Sequence, residues 1–527
     1  MRIIARPSLC LLAGMLLCAS AIGQEGTIPS SLTHDIDAAS PQTQSLGDVA
    51  RKMRKDVTTE VKMTPDDTKK LFEAVDKIFS FASEDSGLPK HSSVKRQLVG
   101  REEVEKYTRD QMKKAEFMQR FARSELTMKK FGFLPRDFNL REFLVKANGS
   151  QIAGYYDDET KIISLLNWVP ADRQEPILAH ELTHALQDQN YGLRAWMTAG
   201  TDESQAARKA VVEGQAMVVY VDYLLAPYGR SLKNTPGLIY QMEDPMVKAT
   251  IDSQMTHDAP MILRESGTFP YKEGLIFEGE LLQEGGKQMA FAGVFARPPR
   301  NSHEVLQPRS YLDHENLAAL QIPDVHDVLG SQYEVFDSGA IGELDVRALL
   351  RQYGTGKVAD DLSASWRGGA YTAFRKAAVS GAATDPTAAD LALLYVSRWK
   401  TPESAAHFAR FYATAVAKRY QNASTQAVKA CGGKECPVSA VQVATEEGPV
   451  VIEQWPNNSV VVSESFDQAI ADKLQNTLRD SAATEVHAQS LPPEELGLRL
   501  YSLPAFRAFS DRLGQRRLKV LTQASAF

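Results

Sequence analysis

The first sustained amphipathic period lies in TPDDTKKLFEAVDKIFSFA, where Leu71, Phe72, Val75, Ile78, Phe79 and Ala82 make one apolar stripe. Thr64 is placed to cap this helix and Pro65 suits its first position. A longer helix is predicted from Glu102 to Phe131, stopped by Gly132 and Pro135. From about 140 to 168 the spacing shortens to strands: in QIAGYYDDETKIISLL a turn at Asp157, Asp158 and Glu159 joins two of them in a hairpin. A helix follows, with Pro176 in its first turn, Gly192 at its stop, and Ile177, Leu178, Leu182, Ala185 and Leu186 as a broad apolar side. A second strong helix, ESQAARKAVVEGQAMVVYVDYLL, opens with acid residues. Residues 236–345 read as mostly helical around the Pro-rich ARPPRNSHEVLQPRSYL. Beyond them an α+β module is expected, with helices at 344–353 and 402–420, a strand at 391–397 and the hairpin GPVVIEQWPNNSVVVSE.

The chain opens differently. Arg2 and Arg6 precede an apolar run from Leu9 to Leu17, and Ala19, Ser20, Ala21 and Gly23 follow, the layout of a secretory signal peptide cleaved near Gly23. A lipid-anchored reading at Cys18 is disfavoured by Leu17, because such attachment wants a small residue before the cysteine. Residues 24–60 are polar and aperiodic, which reads as a flexible leader. The expected organisation is therefore signal peptide 1–23, leader 24–60, N-terminal helical region 61–135, a core at 136–235, a helical lobe at 236–345 and the α+β module at 346–527.

Composition adds constraints. At 43% hydrophobic and 24% charged residues, the 527-residue chain is an ordinary globular protein, too long for one core. Its net charge is −6, and loss of residues 1–23 removes two arginines and no acid, which argues against a nucleic-acid partner. No later apolar run is long enough for a membrane span. The exported chain, periplasmic or extracellular, retains Cys431 and Cys436 in CGGKEC; a disulfide across this turn is preferred to metal binding, since no second Cys or His pair lies nearby.

The chemistry centres on ILAHELTHALQDQ. Four residues apart on a helix, His180 and His184 share a face and can offer imidazole nitrogens to one ion, while Glu181 sits one position round, close enough to hold a water beside it. A metal would lower the water's pKa and the carboxylate would take its proton. A third ligand is needed. The pattern H-E-x-x-H-x-x-G-x-x-H fails, because Gln187 and Asn190 stand where glycine and histidine should be. Glu213 is the better choice: Val211, Val212, Ala216, Met217, Val218 and Val219 surround it, and a carboxylate there is costly without a cation. A buried salt bridge to Arg208, to Lys209 or to an arginine distant in sequence is the competing reading of Glu213, and a solvated helix face that of the histidines. Gly214 marks a close helix approach.

AGYYDDETKIISL, HELTHALQDQ and VVEGQA together resemble the gluzincin branch of zinc metallopeptidases, the thermolysin-like group, and more narrowly exported bacterial proteins of that type. The likeness spans about residues 140–225. It implies a zincin-like core of a small sheet packed on the motif helix, one Zn2+ held by His180, His184 and Glu213, and Glu181 as general base and proton shuttle. It also implies that the backbone of Ile152, Ala153, Gly154 and Tyr155 pairs with an extended peptide substrate; burial of Ile152 and Tyr155 in the sheet is the alternative. His303, Tyr311 and Tyr271 are candidates to stabilise an oxyanion, each with a structural alternative, and Asp188 to orient a ligand imidazole or its helix. The expected function is an exported zinc endopeptidase, since no G-x-M-E-N segment of the aminopeptidase kind is present. The alternative is a secreted binding or assembly protein with an idle zinc site, using residues 346–520 as its working surface.

Overall fold

The computed structural model describes residues 63–482 except 101, 104–114, 144–154, 236, 241–258, 318–319, 321, 323, 378–385 and 429–435. The expected signal peptide and leader, Ile152, Ala153, Gly154 and Cys431 lie outside the described residues. The fold is α+β, with a small sheet among helices and a seven-stranded antiparallel sheet. Among the described residues no helix is long and apolar enough to cross a membrane.

Helix α1 (Pro65–Ser86) begins where its stripe predicts: the Thr64 hydroxyl accepts from the Asp67 N–H at 3.2 Å, and Gly87, at φ 75°, ends it. Strands β1 (Lys95–Val99), β2 (Tyr155–Asp157) and β3 (Ile162–Leu166) form the small sheet, β3 central, parallel to β1 and antiparallel to β2. The β2–β3 turn is built as expected. Asp157 Oδ1 accepts from the N–H groups of Glu159 (2.8 Å) and Thr160 (3.0 Å), and Lys161 takes the left-handed conformation. Tyr155 opens β2 with its side chain buried beside Val99, Leu166 and Val169.

The motif helix α3 runs Ala171–Tyr191 and ends at Gly192, φ 62°. Pro176 is therefore interior, not in the first turn as predicted. The start is set upstream by Gln174, whose buried amide accepts from Leu166 N and donates to the carbonyls of Leu166 and Val169, tying the helix to the end of β3. Helix α4 (Asp202–Leu225) is capped by Thr201 and buried on nearly every side. Helix α5 (Met261–Lys287) crosses it where Gly214 meets Gly274; a Cβ on Gly214 would stand 2.9 Å from the Gly274 Cα and nearer still to its carbonyl. The close approach foreseen at Gly214 is real. Its partner is α5, not the motif helix.

These helices and β3 share one core. A second core covers one face of the sheet formed by β4 (Tyr333–Ala340), β5 (Trp366–Lys376), β6 (Leu391–Trp399), β7 (Ser424–Ala427), β8 (Ser439–Thr445), β9 (Gly448–Gln454) and β10 (Ser459–Glu464), in the order 4-5-6-10-9-8-7. Leu393, Tyr395, Val460 and Val462 face it, alongside α7 (Glu343–Tyr353) and α8 (Pro402–Arg419); Ala392, Leu394 and Val461 face a third cluster under α9 (Gln468–Ala482). Both faces being covered, β6 and β10 read as continuous apolar runs. β4 falls inside the stretch expected to be helical, because a bulge between Val335 and Asp337 breaks its period of two. Helix α2 (Ala115–Phe131), grouped by sequence with α1, instead ends in this second core with Met128 and Phe131.

Candidate metal centre

Two consecutive long helices bring three side chains to one point. His180 and His184 lie a turn apart on α3, and Glu213 reaches them from α4. The Nε2 atoms of the two imidazoles are 3.1 Å apart, and Glu213 Oε2 is 3.2 Å from that of His180 and 3.5 Å from that of His184. All three groups can offer a ligand atom within 4.8 Å of the others. His180 and Glu213 are each 3% exposed, yet Oε2 of Glu213 has no aligned hydrogen bond. A buried carboxylate this close to two imidazole nitrogens needs a positive charge among them, either a proton on a histidine or a metal ion. Two imidazoles and one carboxylate grouped in this way could hold a metal ion.

Of the two nearby cations, Arg208 turns away, donating to the Trp196 carbonyl at 3.1 Å with its guanidinium over that indole, while the charge of Lys209 helps to hold the Glu213 carboxyl low. Electrostatics concentrate a cation at the cluster instead. Burial would raise the Glu213 carboxyl, but the two imidazoles outweigh it and hold the group well below the usual carboxylate range. Burial likewise opposes the His184 cation, and Glu213 overcomes it, lifting His184 to about 9. His180, where burial dominates, is lowered. Glu181 is pushed up to about 8 by burial, against the pull of His184 and of the Tyr156 N–H.

That N–H donates to Glu181 Oε2 at 2.9 Å. β2 is an edge strand in which Tyr155 and Asp157 flank Tyr156, and the Tyr156 N–H points off the sheet toward the motif glutamate. Among the described residues no further strand pairs with that edge of β2, and Glu181 lies beside it.

The four residues after HELTHAL all bond through their side chains. Gln187 Oε1 accepts from His184 Nδ1 at 2.9 Å, so the group that meets the imidazole is Gln187, while Asp188 acts on the helix. Asp188 accepts from the Tyr156 hydroxyl (2.8 Å), from Lys161 and from Leu193 N (3.3 Å), fastening the helix to the hairpin. Gln189 accepts from His91 N and Ser92 N, and Asn190 donates to the Pro89 carbonyl, which ties the run before β1 to α3. Sequence reasoning noticed Gln187 only as a missing glycine; three amides and an acid in a row at a helix end was the available signal.

Of the three oxyanion candidates, only Tyr271 is beside the cluster, its ring centroid 6.4 Å from that of His180. His303 Nδ1 meets Glu343 Oε2 at 2.5 Å from a short helix, α6 (Ser302–Leu306), whose Ser302 donates to Glu203. Glu203 lies ten residues before Glu213, about 15 Å along α4 at 1.5 Å per residue. Tyr311 spends its hydroxyl on the Arg297 carbonyl at 2.6 Å beneath that arginine's guanidinium. Each meets a buried partner of its own, as buried polar groups usually do. Cys436 is disulfide-bonded.

A family described as a domain of unknown function (DUF8575) matches residues 332–473, the stretch that builds the seven-stranded sheet and lies apart in sequence from the metal cluster. No curated protein and no solved structure matches the chain.

Proposed function

We propose that this chain is an exported zinc-dependent peptidase that cleaves within peptide or protein substrates. The observation that carries the reading is the meeting of His180, His184 and the buried Oε2 of Glu213 one residue from a carboxylate held against a sheet edge. His180, His184 and Glu213 would hold the zinc ion, which would supply Lewis acidity toward a peptide carbonyl and water.

The chain's own groups do the rest. Glu181 is the base that takes a proton from the attacking water and returns it to the departing amine. The Tyr156 N–H orients that carboxylate, and releases it when a substrate strand pairs with the β2 edge. Gln187 holds the His184 ring, and Tyr271 packs beside His180.

The test is cleavage of an unfolded protein by the purified mature chain with zinc, beside a Glu181→Gln variant that retains the metal. Activity in the first and its loss in the second is expected. Equal rates refute the assignment of Glu181. A second reading, a secreted binding or assembly protein with an idle zinc site, draws on burial: Glu181, His180 and Glu213 are each only 3% exposed. Stoichiometric zinc without cleavage of any unfolded substrate favours that reading.

A further inference from the structure

We infer that the backbone carbonyl of Ala290, acting through Gln215 and then Gln187, fixes the tautomer in which His184 meets a metal ion. The inference rests on the metal-centre reading and adds the positioning residues behind it.

The chain of contacts is short and buried. Gln215 Nε2 lies 2.6 Å from the Ala290 carbonyl. Gln187 Nε2 lies 2.8 Å from Gln215 Oε1 and 3.0 Å from the Val212 carbonyl. Gln187 Oε1 lies 2.9 Å from His184 Nδ1. Both glutamines are 0% exposed, so water cannot substitute for a misdirected amide.

A side-chain amide can be turned over, and a histidine can carry its proton on either nitrogen. Here the direction is not free, because a backbone carbonyl only accepts. Ala290 therefore requires the NH2 end of Gln215, which leaves Gln215 Oε1 as an acceptor. That oxygen and the Val212 carbonyl both require the NH2 end of Gln187. Gln187 must then present its oxygen to His184, whose Nδ1 must carry hydrogen. Nε2, the atom facing Glu213, keeps its lone pair for a cation. Reversing Gln187 alone sets its oxygen against two acceptors; reversing both glutamines sets an oxygen against Ala290. Ala290 belongs to a π-helical turn, Gln288–Gly293, at the end of α5, so a segment remote in sequence determines how a ligand is presented.

The relay is directional in a way that simple packing is not. Gln187→Met and Gln215→Met preserve length and remove the hydrogen bonds. Zinc affinity, measured by chelator competition, is expected to fall about 10- to 100-fold for Gln187→Met and by less for Gln215→Met. In zinc-loaded wild type, long-range proton–nitrogen NMR of 15N-histidine should show His184 protonated at Nδ1 and coordinated through Nε2. Wild-type zinc binding with unchanged affinity in both variants overturns the inference alone, as does a His184 coordinated through Nδ1. That NMR result does not depend on either variant folding. If the wild type binds no zinc, the metal-centre reading fails and takes this inference with it.

Discussion

A methyl group at Gly214 tests the packing that carries Glu213. In Gly214→Ala the new Cβ would stand 2.9 Å from the Gly274 Cα. Carbon pairs settle at about 3.5–4.0 Å, so α4 and α5 must separate by about 1 Å where two backbones touch and no side chain can swing aside. Overpacking of this kind costs about 1–3 kcal/mol, and a backbone clash belongs at the upper end. Removing a helix-interior glycine returns about 1 kcal/mol, leaving a net loss of about 1–2 kcal/mol. Urea unfolding of the metal-free protein measures it, with Gly356→Ala as the control, since a Cβ there meets nothing within 4 Å. Because Glu213 precedes Gly214, zinc affinity should fall with stability, by at least about tenfold for a ligand shifted toward 1 Å. A Gly214→Ala protein as stable as wild type, or more stable, would refute the argument that this glycine exists for the helix crossing.

Two further outcomes follow from buried polar groups. Tyr156→Phe removes the hydroxyl that donates to Asp188, and should lower stability by about 1 kcal/mol in denaturant titration while leaving zinc affinity unchanged, since the Tyr156 backbone and not its phenol meets Glu181. Asp222 of α4 is raised to about 7 by burial and by neighbouring Asp85, so folding holds its proton against an ordinary value of 3.8. Its contribution to stability is therefore lost as pH climbs from about 4 to 7, and Asp222→Asn, which keeps an acceptor for Leu232 N, should gain on wild type across that interval and level off above it in unfolding experiments.

Much of the site was legible because helix geometry is local. Four-residue spacing placed His180 and His184 on one face whatever the rest of the chain did, and the apolar surroundings of Glu213 in α4 announced a buried acid. The hairpin at Asp157 was equally local, an aspartate turning its own backbone. Period also revealed β6, β9 and β10. It missed β4, whose bulge spoils the alternation, and it placed the start of α3 at Pro176 because the anchor that sets it, Gln174, bonds to carbonyls outside the helix.

The fates of His303, Tyr311 and Gln187 were decided elsewhere. Nothing near His303 in sequence indicates that Glu343 will take its nitrogen, and nothing near Gln187 indicates that an amide 28 residues on will relay it to Ala290. The sequence by itself determined which residues share a helix face, which acid is buried and where two strands turn, since bonds and dihedrals within a few residues dictate these. Only the tertiary structure decided that Gly214 meets Gly274, that α2 packs against the large sheet and α1 against the motif helix, and which buried donor meets which acceptor. Those outcomes depend on how whole faces fit together, and no short-range period encodes the choice among faces of similar hydrophobicity.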